Sequence, residues 1–539
     1  MKAFPPCREA CPAGIDVPRY VRHVRGGNFA QALNTIKEKI PFPSVCGYVC
    51  VAYCELKCAR IQYDEAIAIR LLKRAAAEYG ENVVRKNAPP TDKKIAVVGS
   101  GPGGLTAAYY LTLKGHHVTV FESLPEAGGL LRYGIPEYRL PNEIIDQEIS
   151  LIRNQGVKIK TGSRIEAPAK LLEKGFAAVL VASGAWQTRK LGIEGEELPH
   201  VLDGIAFLND VNSGKNPAIG KRVVVVGGGN TAIDAARSAL RLGADVDLLY
   251  RRTKPEMPAG DLEVQEALEE GVSIKFLTTL VNITESRVDC IKMELASVDV
   301  DFDVGGRPQP RPIFGSEYGA AYDTVIIATG QFADAGALGL AANQNGTINV
   351  DENALAMSHL GMFAAGDVVT GPASIIEAIA QGRRVSTPID IYLGGDGVID
   401  GDNDDNYGRE GELSNNAPVP SAIPEAEPRG TLRPDREKRS SGPHFCGFDL
   451  TENGYDRKTA INEACRCLSC DTRDYNVEVN ALLCKACGYC KEVCSLNIFQ
   501  SSDTFNPGGY QPMVATATDR CVGCLNCLYI CPDFAIQIK

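Results

Sequence analysis

Two stretches of the chain, CKACGYCKEVC and CVGCLNCLYIC, repeat one spacing, C-x2-C-x2-C-x3-C. They supply Cys484, Cys487, Cys490 and Cys494, then Cys521, Cys524, Cys527 and Cys531, the last followed by Pro532. Thiolates so spaced suit cubic [4Fe–4S] clusters. Three close cysteines hold three irons of one cube, and the fourth crosses to the other cube. The expected sets are Cys484, Cys487, Cys490 with Cys531, and Cys521, Cys524, Cys527 with Cys494. Zinc is the competing reading, but two identical four-cysteine runs do not match the paired C-x2-C of a zinc ribbon.

The remaining cysteines are uneven too. Of nineteen, six precede Arg60, twelve follow Phe445, and Cys290 stands alone between. Disulfides are not expected in a chain that reads as cytoplasmic. CGYVCVAYCELKC places Cys46, Cys50, Cys54 and Cys58 at four-residue steps, while CREACP offers only Cys7 and Cys11. A C-x2-C pair, Cys467 and Cys470, lies far downstream in INEACRCLSCD. Cys290 reads as a small core residue.

A second chemistry is written in glycine. KIAVVGSGPGGLTAAYY carries Gly99, Gly101 and Gly104 directly after a β-branched run and before a helical stretch. The three allow a tight turn, close approach of a diphosphate, and packing of helix on strand. The diphosphate would meet the helix N-terminus. Glu122 ends the next strand, where an acid binds ribose hydroxyls. RVVVVGGGNTAIDAA repeats the pattern with Gly227, Gly229, Asn230 and Ala232. Its strand ends on Tyr250, Arg251 and Arg252 instead of an acid. Arginines there can pair with a 2′-phosphate, so NADP(H) is expected over NAD(H).

These motifs need elements to carry them. Residues 1–90 read as helices punctuated by cysteines. From there to residue 395, β-branched runs alternate with Ala/Leu-rich stretches, a βαβ pattern that implies parallel sheets. The expected fold is α/β, with two Rossmann-like dinucleotide-binding domains. One spans 91–215 and 320–395 and takes FAD; the other spans 216–319 and takes the nicotinamide. Residues 396–445 are rich in Gly, Asp, Asn and Pro and read as a linker. A Cys-containing segment follows at 446–475, then a small α+β cluster domain at 476–539. Net charge is −11, which argues against nucleic acid. No apolar run approaches a membrane span, and no secretory h-region stands at the N-terminus.

The glycine motifs with GMFAAGDVVTGP resemble the glutathione-reductase-like flavoproteins, and the tail resembles a two-cluster bacterial ferredoxin. Residues 5–395, through YGIPEYRLP and YRRTKPEMPA, resemble the glutamate synthase small subunit family. Its relatives include the N-terminal half of dihydropyrimidine dehydrogenase and the large subunit of bifurcating NADH-dependent ferredoxin:NADP oxidoreductase. The resemblance implies FAD and a nicotinamide dinucleotide, with Gly129, Leu130, Gly366 and Asp367 added to the FAD site. It also implies two [4Fe–4S] clusters in the helical domain, one using Cys58 with Cys7, the other Cys11, Cys50 and Cys54. Where relatives complete the second set with Glu or Gln, this chain has Lys73, leaving Cys46 or solvent as fourth ligand. Relatives carry an EA-x-RCL-x-C string next to their first cluster. Cys467 and Cys470 are therefore expected to close a composite set with Cys7 and Cys58, giving about four clusters in all.

The expected activity is an NAD(P)H:ferredoxin-type oxidoreductase, the nucleotide-binding subunit of a hetero-oligomer working with ferredoxin or a partner reductase subunit. No acid–base catalytic residue is needed. A glutamate synthase small subunit and a non-catalytic relay subunit are the alternatives.

Overall fold

The computed structural model describes residues 4–82, 84–285, 287–295, 307–399, 433–434, 447–472, 475–494, 496–521 and 525–538. Most of the expected linker, Cys446 and Cys524 lie outside these residues.

The first unit is helical. Asp16 accepts the Arg19 N–H and starts α1 (Val17–Arg25), whose Val17, Tyr20, Val21 and Val24 form a buried stripe at helical spacing. α2 (Phe29–Lys37) and α3 (Pro43–Val49) follow. α4 (Ile69–Tyr79) crosses α3 where Gly47 leaves room, since a Cβ there would stand 2.7 Å from Arg74 Cα. Arg70 donates to the carbonyls of Gly47 and Tyr48 and ties the two helices.

Two parallel sheets carry the glycine motifs. The first begins with β1 (Lys94–Val98), α5 (Pro102–Leu113), β2 (His117–Phe121), β3 (Lys158–Lys160) and β4 (Ala178–Val181). The second holds β5 (Val201–Asp203), β6 (Arg222–Val226), α6 (Asn230–Arg241), β7 (Asp245–Tyr250), β8 (Ser273–Phe276) and β9 (Thr324–Ile327). β10 (Met362–Ala364) and α7 (Ile375–Tyr392) return to the first. The orders are β10-β4-β1-β2-β3 and β5-β9-β6-β7-β8. A short antiparallel pair, Gln187–Thr188 with Gln331–Phe332, joins the two units. Cys290 lies on a strand between β8 and β9 and is buried as an ordinary core residue.

The sheets move one expected boundary. β5 and β9 hydrogen-bond into the second sheet, so the unit expected at 216–319 begins before residue 216 and ends after 319. Strands of three or four residues carry no alternation to reveal their side, and β9 is buried on both faces.

Beyond α8 (Arg457–Cys465) the tail repeats a strand–helix–strand unit. The first is β11 (Val477–Val479), α9 (Tyr489–Val493) and β12 (Phe499–Ser501). The second is β13 (Met513–Ala515), α10 (Asn526–Ile530) and β14 (Ile536–Ile538). β11 pairs with β14 and β12 with β13, both antiparallel, so the two halves interlock. Among the described residues no helix is long and apolar enough to cross a membrane.

The segment before the tail is bound to the helical unit. Glu463, fully buried, accepts the Ala68 N–H at 2.7 Å and pairs with Arg466 at 2.9 Å. Arg466 also reaches Asp64 at 3.1 Å, and its carbonyl accepts from Arg60 at 2.7 Å. Removing one member of such a buried set leaves the others uncompensated. Arg466→Ala is expected to cost about 3–5 kcal/mol of docking, read as faster hydrogen exchange in α8 and around Asp64. Burial alone would raise the Asp64 carboxyl, but Arg60 and Arg466 bring it down to about 2. Its contribution is therefore present above the ordinary carboxylate pKa of about 3.9 and is lost only as pH falls towards 2.

Candidate functional site

At the end of β1, Gly99 has φ +108°, and a Cβ there would stand 2.3 Å from the Ala182 carbonyl oxygen. A Cβ on Gly104 would lie 2.2 Å from the Gly99 oxygen. Both glycines are required by the fold. Gly101 differs: it is extended, and a Cβ would meet nothing within 4 Å. It faces open space at the N-terminus of α5, where backbone N–H groups favour a diphosphate. Gly129, at φ +56°, closes over this loop, its Cβ position 2.9 Å from Gly101 Cα, and Leu130 starts the short helix behind it.

Asp367 completes this corner. Gly366 lies 3.7 Å from where a Cβ on Gly103 would be, and its N–H is held by Gln381 at 2.8 Å. One Asp367 oxygen is buried with no hydrogen-bond partner, and burial pushes the carboxyl up to about 7. An orphaned buried acceptor beside an open glycine loop fits a dinucleotide such as FAD. Glu122 is buried differently from expectation. Its oxygens accept Ser100 N–H at 2.9 Å, Ser100 Oγ at 2.6 Å, Leu124 N–H at 2.9 Å and Ser123 Oγ at 3.2 Å. These fill the acceptor capacity of a carboxylate, so a ribose hydroxyl would displace a serine hydroxyl.

The second loop repeats the geometry. Gly227 has φ +151° and Ala328 oxygen 2.2 Å from its Cβ position, while Gly229 faces open space. Ala232 is buried on α6, and Asn230 Oδ1 is a second buried, unpartnered acceptor. Arg251 is exposed. Arg252 is buried, and its Nε donates to the Pro308 carbonyl at 2.9 Å. Of the two arginines expected at a 2′-phosphate, one turns inward.

The cysteines gather in groups. Cys7, Cys58, Cys467 and Cys470 line one cavity, with Val17, Val21, Ile67 and Leu468. Residues from both ends of the chain thus meet at one point. Burial raises the thiols of Cys7 and Cys467, and that of Cys58 to about 11. Thiols so raised are inert until a metal takes their protons. Cys484, Cys487, Cys490 and Cys531 line a second cavity with Val479 and Met513. The Met513 N–H points at Cys484 Sγ and the Ala535 N–H at Cys531 Sγ, both at 3.3 Å. Cys494, Cys521 and Cys527 meet in the same small core.

The fourth group surrounds Lys73, which is 3 % exposed. Burial works against its charge, but Cys50, Cys46, Cys54 and Cys11 outweigh that and raise its pKa. Cys50 is drawn down to about 6 by the Cys46 thiol, against burial, with help from Lys73 and the Ala52 N–H. Among the described residues no three His, Cys, Asp or Glu side chains converge closely enough to ligate one ion. A cube of four irons needs its ligands farther apart than a single ion does.

Two groups escaped the sequence reading. Gln381 carries no motif of its own, and the Glu463–Arg466 pair is visible only as an i,i+3 charge pair in INEACRC.

Comparison with known proteins fixes the family. Residues 93–382, more than half of the chain, match pyridine nucleotide-disulphide oxidoreductase. The chain belongs to that family. Residues 3–84 match dihydropyrimidine dehydrogenase domain II, 4Fe-4S cluster. This pyridine nucleotide-disulphide oxidoreductase is 36% identical over 520 residues to the NADPH-Fe(3+) oxidoreductase subunit beta of Geobacter sulfurreducens, covering 86% of this chain and 75% of that one. It is 38% identical over 426 residues to the NADP(+)-dependent formate dehydrogenase subunit beta of Moorella thermoacetica, covering 72% of this chain and 60% of that one. With the glutamate synthase [NADPH] small chain of Halomonas elongata it shares 32% identity, over 72% of this chain and 88% of that one. FAD, NADP(H) and [4Fe–4S] are the cofactors of these two matched families, and electron transfer is their common chemistry.

Proposed function

We propose that this chain moves electrons between NADP(H) and a low-potential acceptor, as the nucleotide-binding subunit of a larger reductase. The acceptor is ferredoxin or a partner subunit, and about four [4Fe–4S] clusters join it to the flavin. The observation that carries this reading is the cavity lined by Cys7, Cys58, Cys467 and Cys470, where thiols from both ends of the chain come together. When bound, FAD supplies the exchange between two-electron hydride and one-electron chemistry.

The polypeptide's part is to hold and align. Gly101 and Asp367 bound the FAD site, while Gly229, Asn230 and Arg251 bound the nicotinamide site. The tail is held on the helical unit by Arg22–Asp471 at 2.6 Å, Arg520–Glu9 at 3.3 Å, and Leu496 packed near Ala59 and Leu468. The names of the similar beta subunits support a hetero-oligomer.

Anaerobic titration with NADPH tests the proposal. Bleaching of the flavin followed by cluster signals in electron paramagnetic resonance is the expected result. Absence of bleaching would assign the chain to a relay role. All three relatives carry NADP in their names, and Arg251 is the exposed cation at the strand end. Losing a charge-assisted pair costs ~1.5–3 kcal/mol. Arg251→Ala should therefore raise KM for NADPH by roughly ten- to a hundredfold and leave NADH unchanged. A mutant that keeps its preference for NADPH would remove Arg251 from the site.

A further inference from the structure

Lys73 sits in the middle of α4, 3 % exposed, and among the described residues no carboxylate pairs with it. The groups that act on its charge are the sulfurs of Cys50, Cys46, Cys54 and Cys11. The two nearby acids are engaged elsewhere. Glu55 accepts the Arg70 N–H at 2.8 Å and pairs with Arg433 at 2.9 Å. Glu148 accepts the N–H groups of Ser44 and Val45. A buried ammonium without an anion is costly, so the pocket has to take up negative charge that the chain's own acids do not supply.

The helices are built to bring these groups together. Cys46 and Cys50 are four residues apart at the end of α3 and so share a face. Gly47 lets α3 lie directly on α4 at Arg74, the residue after Lys73. The Glu55 bond to Arg70 fixes the turn that carries Cys54 against the start of α4. Cys46 and Cys54 are buried in the core of the helical unit, Cys11 and Cys50 pack against it, and Lys73 is buried with them.

We propose that Cys46 completes an all-cysteine [4Fe–4S] ligand set with Cys11, Cys50 and Cys54, and that Lys73 is the buried countercharge that raises this cluster's reduction potential. The inference rests on the reading of the helical unit as an iron–sulfur domain. A cube held by four thiolates is anionic and gains one further negative charge when it takes up one electron. A fixed cation beside it favours the reduced form, with no proton transferred. Net charge, burial and nearby hydrogen-bond donors are the levers that set such potentials. The cluster next to Lys73 would then hold an electron more readily than the others, as a store rather than an exit.

The test uses the full-length protein and reads iron content and the midpoint potential of each cluster signal. Lys73→Met is expected to keep its iron and to shift one signal alone to lower potential. The shift should be at least tenfold in the reduced-to-oxidised ratio, which is 59 mV for a one-electron couple. Lys73→Arg should keep that signal near its wild-type position. An unchanged potential in Lys73→Met would overturn the countercharge. Cys46→Ser is the second arm and leaves Lys73 in place. It should alter the line shape of the same signal or remove one cluster's iron, and an unchanged signal would overturn the ligand set. The double variant Cys11→Ser/Cys54→Ser, which leaves two thiols, separates the underlying reading. If wild type and this double variant hold equal iron, the pocket binds no cluster at all.

Discussion

Replacing Cys467 and Cys470 together by serine is expected to remove about four of roughly sixteen iron atoms and to disconnect the tail from NADPH. The two cysteines line a cavity with Cys7 and Cys58, and two ligands alone do not retain a cube. The tail itself should stay docked, because its attachments are elsewhere. Arg22 binds Asp471 through both carboxylate oxygens at 2.6 Å, and Glu463 and Arg466 remain in place. The double mutant should therefore keep its flavin and its remaining iron. NADPH should still bleach the flavin, while the cluster signals of the tail appear only with dithionite. Unchanged iron content would show that these cysteines ligate nothing. Full NADPH reduction of the tail would show that electrons travel by another way.

That experiment bears on a feature legible only in part from sequence. Cysteine spacing is a local property, so the tail's eight thiols can be sorted residue by residue. The meeting of Cys7 with Cys467 is long-range; spacing alone shows only a C-x2-C pair without partners, and the pairing is expected from the resemblance of INEACRCLSC to a string that relatives carry beside their first cluster. The ion network that docks the segment gave no such hint. Arg60, Glu463 and Arg466 read as surface charges until folding buries them, with Asp64 half-buried beside them. Arg251 and Arg252 lie in a bend after the last residue of β7, where no strand alternation tells which of the two turns inward. The glycine loops were legible because the chain repeats them, but sequence does not separate glycines the fold needs from glycines a ligand needs. That distinction appears only when a Cβ is placed on each.

It leads to the second large expected effect. Gly101 and Gly229 have φ of −69° and −90°, values any residue adopts, and a Cβ at either meets nothing within 4 Å. Neither is glycine for the sake of the polypeptide, so a side chain added there should leave the fold intact and fill ligand space. Gly101→Val is expected to purify folded, with its iron, and without flavin. Gly229→Val is expected to keep flavin and iron, yet NADPH should bind at least hundredfold more weakly, on the order of 2.8 kcal/mol. Dithionite should still bleach its flavin. By contrast, Gly99→Ala and Gly227→Ala place a Cβ 2.3 Å and 2.2 Å from a carbonyl oxygen and should destabilise the protein itself. Thermal melts distinguish the two classes, with the valine variants holding the wild-type midpoint once compared in the same cofactor-free state. If Gly229→Val loses flavin while Gly101→Val loses only its response to NADPH, the two loops have been assigned to the wrong dinucleotides. If both variants keep flavin and NADPH reduction, neither open face is a dinucleotide site. Loss of flavin in the first and of NADPH reduction in the second would assign each cofactor to its own βαβ unit, on residues that the fold alone does not require to be glycine.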